Sequence, residues 1–83
     1  MSYGVAFEGK ALVQLNGLPL AAFDALVARV VDLVDAPWDA DVMSAGGDPA
    51  YRQAVFGHGY GLISFRADDA AEMIIIFDIA WIG

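Results

Sequence analysis

The chain has 83 residues, 59% of them hydrophobic, with no cysteine, four Lys/Arg against eleven Asp/Glu and a formal charge of −7. That length makes a single domain over 1–83 and excludes a second core. The missing cysteines exclude disulfides, thiolate metal sites and a cysteine nucleophile, and the acidic field disfavours long-range attraction to nucleic acid.

The first element in chain order is a short strand, Tyr3-Gly4-Val5-Ala6-Phe7, whose side chains alternate. Glu8 to Leu15 then places Ala11, Leu12 and Leu15 on one helical face, and Asn16-Gly17 stops that helix. A longer helix follows, with Pro19 in its first turn. Its stripe of Phe23, Leu26, Val27, Val30, Leu33 and Val34 recurs at helical spacing while Asp24, Asp32 and Asp35 face away, and Pro37 ends it. The stripe reads as ordinary core packing, with a partner helix as the alternative. Trp38 to Pro49 carries Asp39, Asp41, Gly46-Gly47 and Asp48-Pro49, the composition of a surface connection. Trp38 is expected to pin that connection to the core, with stacking on a base or a partner side chain as the alternative.

Tyr51–Phe56 and Tyr60–Arg66 read as two strands of a hairpin joined by Gly57-His58-Gly59, whose glycines accept positive backbone angles. A last strand spans Met73–Ile82. Its isoleucines fall on both faces, so an inner strand covered above and below is expected along its first half. Asp78 interrupts it, and three roles stay open: pointing to solvent, pairing with Arg52 or Arg66, or chemistry. Pro49 to Ala67 holds Arg52, His58 and Arg66 with no acid, which reads either as a local neutral-to-positive surface or as a hairpin with solvated charges. The apolar runs are far shorter than the roughly 20 residues that cross a bilayer, and Met1-Ser2-Tyr3-Gly4 lacks a basic signal start, so a cytoplasmic protein with no membrane association is expected.

The element order predicts an α+β fold, β-α-α-β-β-β, with two helices packed on one face of a small, mainly antiparallel sheet and the other face open. Tyr3-Gly4-Val5-Ala6-Phe7, Lys10-Ala11-Leu12, Leu18-Pro19, Asp35-Ala36-Pro37-Trp38, Tyr51-Arg52 and Phe65-Arg66-Ala67-Asp68-Asp69 together resemble the RelE/ParE toxins of type II toxin–antitoxin systems over nearly the whole chain. The resemblance implies a growth-inhibiting toxin, held inactive by a cognate antitoxin that wraps it. In the RelE branch it implies cleavage of ribosome-bound messenger RNA, and in the ParE branch inhibition of DNA gyrase. Arg52 matches the family's arginine after a strand-opening tyrosine, which the resemblance places at the scissile phosphate. The stretch where many members carry a second arginine is Tyr60-Gly61-Leu62 here, and their basic ending is Ala80-Trp81-Ile82-Gly83 here.

RNA cleavage through a 2′-hydroxyl needs a proton acceptor, a proton donor and cations at the phosphate. The candidates are Arg52 and Arg66 as phosphate donors, His58 as general acid or base, and Tyr60 as a stacking or proton-donating phenol. On strand alternation Arg66 shares a face with Tyr60, Leu62 and Ser64, and Arg52 shares one with Ala54 and Phe56. Whether these are the same face depends on hairpin register. No metal or cofactor is expected. Three readings compete: a nuclease, a gyrase inhibitor, and a non-catalytic binding module or homodimer that keeps the toxin fold. The apolar content makes a homodimer or hetero-oligomer the expected state.

Overall fold

The computed structural model describes residues 3–44 and 46–83. The signal-start reading of Met1-Ser2 lies outside the described residues. Strand β1 (Gly4–Phe7) leads into α1 (Gly9–Asn16) and α2 (Leu20–Asp35), followed by a single 3₁₀ turn at Pro37–Asp39 and a short strand β2 (Asp41–Val42). Three longer strands complete the chain: β3 (Tyr51–Phe56), β4 (Gly61–Asp68) and β5 (Met73–Trp81). The expected α+β architecture is therefore present, with one strand added. Asp41 and Val42 pair with Gln53 and Arg52, so part of the turn-rich stretch is an edge strand. Two residues are too few to show alternation, which is why composition alone reads as loop.

The sheet order is β1-β5-β4-β3-β2, parallel only at β1–β5. Over its first half β5 is an inner strand, because Gly4 to Phe7 pair with Met73 to Ile76. Only one of its faces lies under the helices, however. Ile74 and Ile76 are fully buried there with Leu26, Leu33, Ile63 and Phe65, whereas Ile75 and Phe77 are half-buried on the open face. Beyond Ile76 the β5 edge has no strand neighbour, and α1 covers it. Gln14 Oε1 accepts from the Ile79 amide at 2.8 Å, which satisfies a backbone donor that β1 is too short to reach. Ser64 pairs with Asp78 while Phe65 pairs with Ile76, so Phe77 is the extra residue of a bulge.

Pro19 precedes α2 as its N-cap and does not stand in its first turn, and α2 closes at Asp35, before Ala36-Pro37. Leu26 and Leu33 are each 1% exposed, but Phe23 and Val27 are 36% and 45% exposed, and Val31 beside the stripe is 57% exposed. Only part of the stripe read as core is core. No helix among the described residues is long and apolar enough to cross a membrane.

Candidate functional site

The hairpin register fixes where the cations point. Tyr51 pairs with Arg66 and Arg66 with Ile75; in the next row Arg52 pairs with Phe65 and Phe65 with Ile76. Adjacent rows face opposite sides of a sheet. Phe65 and Ile76 are fully buried beneath the helices, so Arg52 is on the helix side and Arg66 on the open side.

Arg52 is committed locally. Its Nε donates to the Pro49 carbonyl at 2.7 Å, its Nη1 donates to the carbonyls of Trp38 at 3.0 Å and Ala40 at 2.8 Å, and the guanidinium lies 4.9 Å from the centre of the Trp38 ring. These contacts close the 37–49 segment onto β3. Trp38 pins the same segment from its other side, but through polar contacts at the surface and not in the core. Its Nε1 donates to the Tyr3 hydroxyl at 3.1 Å and to Asp69 Oδ1 at 3.3 Å. Tyr3 donates its hydroxyl proton to the same carboxylate, a bond that raises the phenol's pKa by favouring its neutral form, while the Trp38 bond acts the other way. No local sequence signal announces this Tyr3–Trp38–Asp69 tie, because its members are 31 to 66 residues apart.

The open face holds Tyr51, Gln53 and Val55 from β3, Leu62, Ser64 and Arg66 from β4, and Ile75 and Phe77 from β5. Tyr51 packs edge-on to Phe77 with ring centroids 5.8 Å apart. Arg66 is the cation on this face among the described residues, and its Nη1 is 3.6 Å from Asp68 Oδ2. His58 (φ 59°) occupies a left-handed position at the exposed β3–β4 turn, and Tyr60 belongs to that turn, edge-on to Trp81 at 6.4 Å. Arg66 lies six positions along the chain from Tyr60, a span of about 20 Å. The structure thus does not bring the four residues together: Arg52 is under the sheet, Arg66 over its far end, and His58 and Tyr60 at the opposite end.

Asp78 pairs with neither Arg52 nor Arg66. Its Oδ1 lies 3.1 Å from Lys10 Nζ and accepts from Gln14 Nε2 at 2.9 Å. Lys10 and Gln14 are one turn apart on α1, and α1 runs beside the end of β5 that β1 leaves uncovered, so both reach one carboxylate. The Gln14 bond, then Lys10, holds the Asp78 carboxyl below the usual carboxylate range. A lowered folded-state pKa contributes stability above the unfolded value, and that contribution is lost as pH falls through the folded one. Thermal unfolding of wild type and Asp78→Asn should accordingly differ by a constant interval from pH 7 to pH 5 and start to converge only as pH falls below about 4, the ordinary carboxylate value. An interval that does not narrow at all in acid would assign the effect to something other than the carboxylate's charge.

A second candidate surface lies on the helix side. Val5 and Phe7 of β1, Leu15 of α1, and Phe23, Val27 and Val31 of α2 line an open groove of about 360 Å³ with no polar side chain in its wall. The sequence signal for it is the width of the α2 stripe. Leu20 and Val31 extend the apolar arc past what one core face needs, and both are exposed.

No protein-family model matches the sequence, and no curated protein does. Solved structures match closely. The isolated RelE toxin of E. coli superposes with a TM-score of 0.84 at 13% identity, covering 99% of this chain and 86% of that one. The RelBE2 toxin–antitoxin complex of Mycobacterium tuberculosis gives 0.84 at 21% identity, covering 99% and 100%. The archaeal RelE–RelB complex of Pyrococcus horikoshii gives 0.72 at 18% identity, covering 98% and 96%. From its first strand to its last, this acidic chain has the fold of the RelE toxins.

Proposed function

We propose that the chain is the toxin component of a toxin–antitoxin pair, bound by a cognate antitoxin, and that it acts on its target by binding and not by cutting RNA. The observation that carries this reading is an open sheet face on which, among the described residues, Arg66 alone is cationic and already has an acidic neighbour, Asp68. Cleavage requires several donors converging on one phosphate and a proton acceptor beside them. Arg52 lies on the helix side with its Nε and Nη1 committed to three carbonyls, and His58 and Tyr60 stand at the other end of the sheet. A net charge of −7 repels polyanions at long range, which favours a protein target such as DNA gyrase over ribosome-bound messenger RNA. The partnership with an antitoxin is supported by RelE folds solved with RelB, to which this chain is similar over nearly its full length.

Induced expression tests the toxin reading. The wild type and Arg66→Ala should both arrest growth to the same extent, because Arg66 carries no chemistry. Continued growth of the wild type at normal soluble levels would overturn it.

A further inference from the structure

The apolar groove between α2 and β1 has a rim of one charge. Asp24 stands three residues before Val27 and Asp35 four after Val31, spacings that set both carboxylates on the flank of the exposed stripe. Glu8, the N-cap of α1, directly follows Phe7 of the groove wall in sequence. All three acids are exposed. The chain's four cations are engaged elsewhere: Lys10 with Asp78, Arg29 with the Val55 carbonyl and Asp32, Arg52 with the 37–49 segment, and Arg66 with Asp68. An apolar wall without a polar group does not orient a small molecule. A ridge of Phe23, Val27 and Val31 at i, i+4 and i+8 instead presents the row that a second helix packs against.

We infer that this groove seats an amphipathic helix of a partner protein whose apolar stripe is flanked by Lys and Arg, making the docking segment basic. A second copy of the chain is the poorer occupant, since it would bring the same acidic rim against itself. The inference rests on the reading of the chain as one half of a binding pair and specifies the chemistry of the other half.

The probe is a fluorescent peptide of about 18 residues, or five helical turns, with Leu at i, i+4, i+7 and i+11 and Lys at the flanking positions. It is compared with a Glu-flanked peptide carrying the same Leu stripe and with a scrambled Lys peptide, by anisotropy at low and moderate salt. The Lys-flanked helix should bind the wild type at least about tenfold more tightly than either comparison peptide, and added salt should narrow that margin. Val31→Asp, at a surface position that leaves the core intact, should abolish binding. Asp24→Asn with Asp35→Asn should retain the fold and remove most of the preference for Lys over Glu. Equal binding of the three peptides, preference for Glu, binding that survives Val31→Asp, or no binding at all would overturn the inference. So would a concentration-dependent dimer that Val31→Asp disrupts, because a second copy would then be the occupant. Peptide binding by a chain that fails to arrest growth would remove the toxin reading and leave the groove's chemistry standing; growth arrest without peptide binding would do the reverse.

Discussion

Replacing Arg52 with alanine is expected to cost about 2–3 kcal/mol of stability and to lower the melting temperature of so small a domain by roughly 10–20 °C. The side chain closes a segment otherwise held by the two-residue β2 pairing and by the surface contacts of Trp38. Its guanidinium donates to the carbonyls of Pro49, Trp38 and Ala40, and its face covers the Trp38 ring. Hydrogen bonds from a charged donor contribute roughly 1.5–3 kcal/mol each when buried, and partial exposure discounts that here. Removing the donor leaves the Ala40 carbonyl, at a buried residue, without this partner. Arg52→Lys should recover little, because a single ammonium neither forks to three carbonyls nor stacks on an indole. Thermal unfolding by circular dichroism reads the effect. A melting temperature within about 3 °C of wild type in the alanine variant would show that the 37–49 segment is held by other contacts. Loss of growth arrest in Arg52→Ala therefore reports folding, and says nothing of phosphate binding unless the soluble level is matched.

Gly57→Ala is expected to cost about 2–4 kcal/mol, against roughly 1–2 kcal/mol for Gly59→Ala two residues on. Both glycines have positive φ, +60° and +88°, so each substitution carries the backbone penalty of a left-handed alanine. They differ in what a methyl group would meet. At Gly57 the new Cβ would stand 2.6 Å from Trp81 Cζ3, while at Gly59 nothing lies within 4 Å. Trp81 has little room to retreat, because it stacks on the buried Phe56 ring at a centroid distance of 5.6 Å and meets Tyr60 edge-on. Overpacking of that kind adds roughly 1–3 kcal/mol to the backbone term. Paired melting curves measure the difference directly. Equal destabilisation by the two substitutions would mean that the indole moves aside, and that the turn is not fixed against the end of β5.

The two helices, the β3–β4 hairpin and the last strand were legible because each is long enough for its period to appear. Phe23 to Val34 repeats at helical spacing, and Gly57-His58-Gly59 punctuates two apolar runs. Strand β2 was not legible, since its two residues gain strand geometry only by pairing with Arg52 and Gln53. The partner of Asp78 was missed for a related reason. Lys10 lies 68 residues away in sequence, and the two meet only because β1 stops at Phe7 and leaves the end of β5 to α1. Composition placed Arg52, His58, Tyr60 and Arg66 within fifteen residues of one another, but proximity in a hairpin is not convergence. A one-row offset sends Arg52 and Arg66 to opposite faces, and the length of β4 separates Arg66 from the turn. The groove was missed because periodicity marks an apolar stripe without saying how much of it the core covers; Leu26 and Leu33 fill the core, and Phe23, Val27 and the neighbouring Val31 are left exposed.

The most direct test of a RelE fold that binds without cutting is the mapping of messenger-RNA 5′ ends in cells arrested by the wild-type chain, with Arg66→Ala in parallel. The account predicts arrest with no new ends within ribosome-bound codons in either strain. New ends that appear with the wild type and vanish with Arg66→Ala would contradict it, and would make the open sheet face a nuclease site despite its single guanidinium.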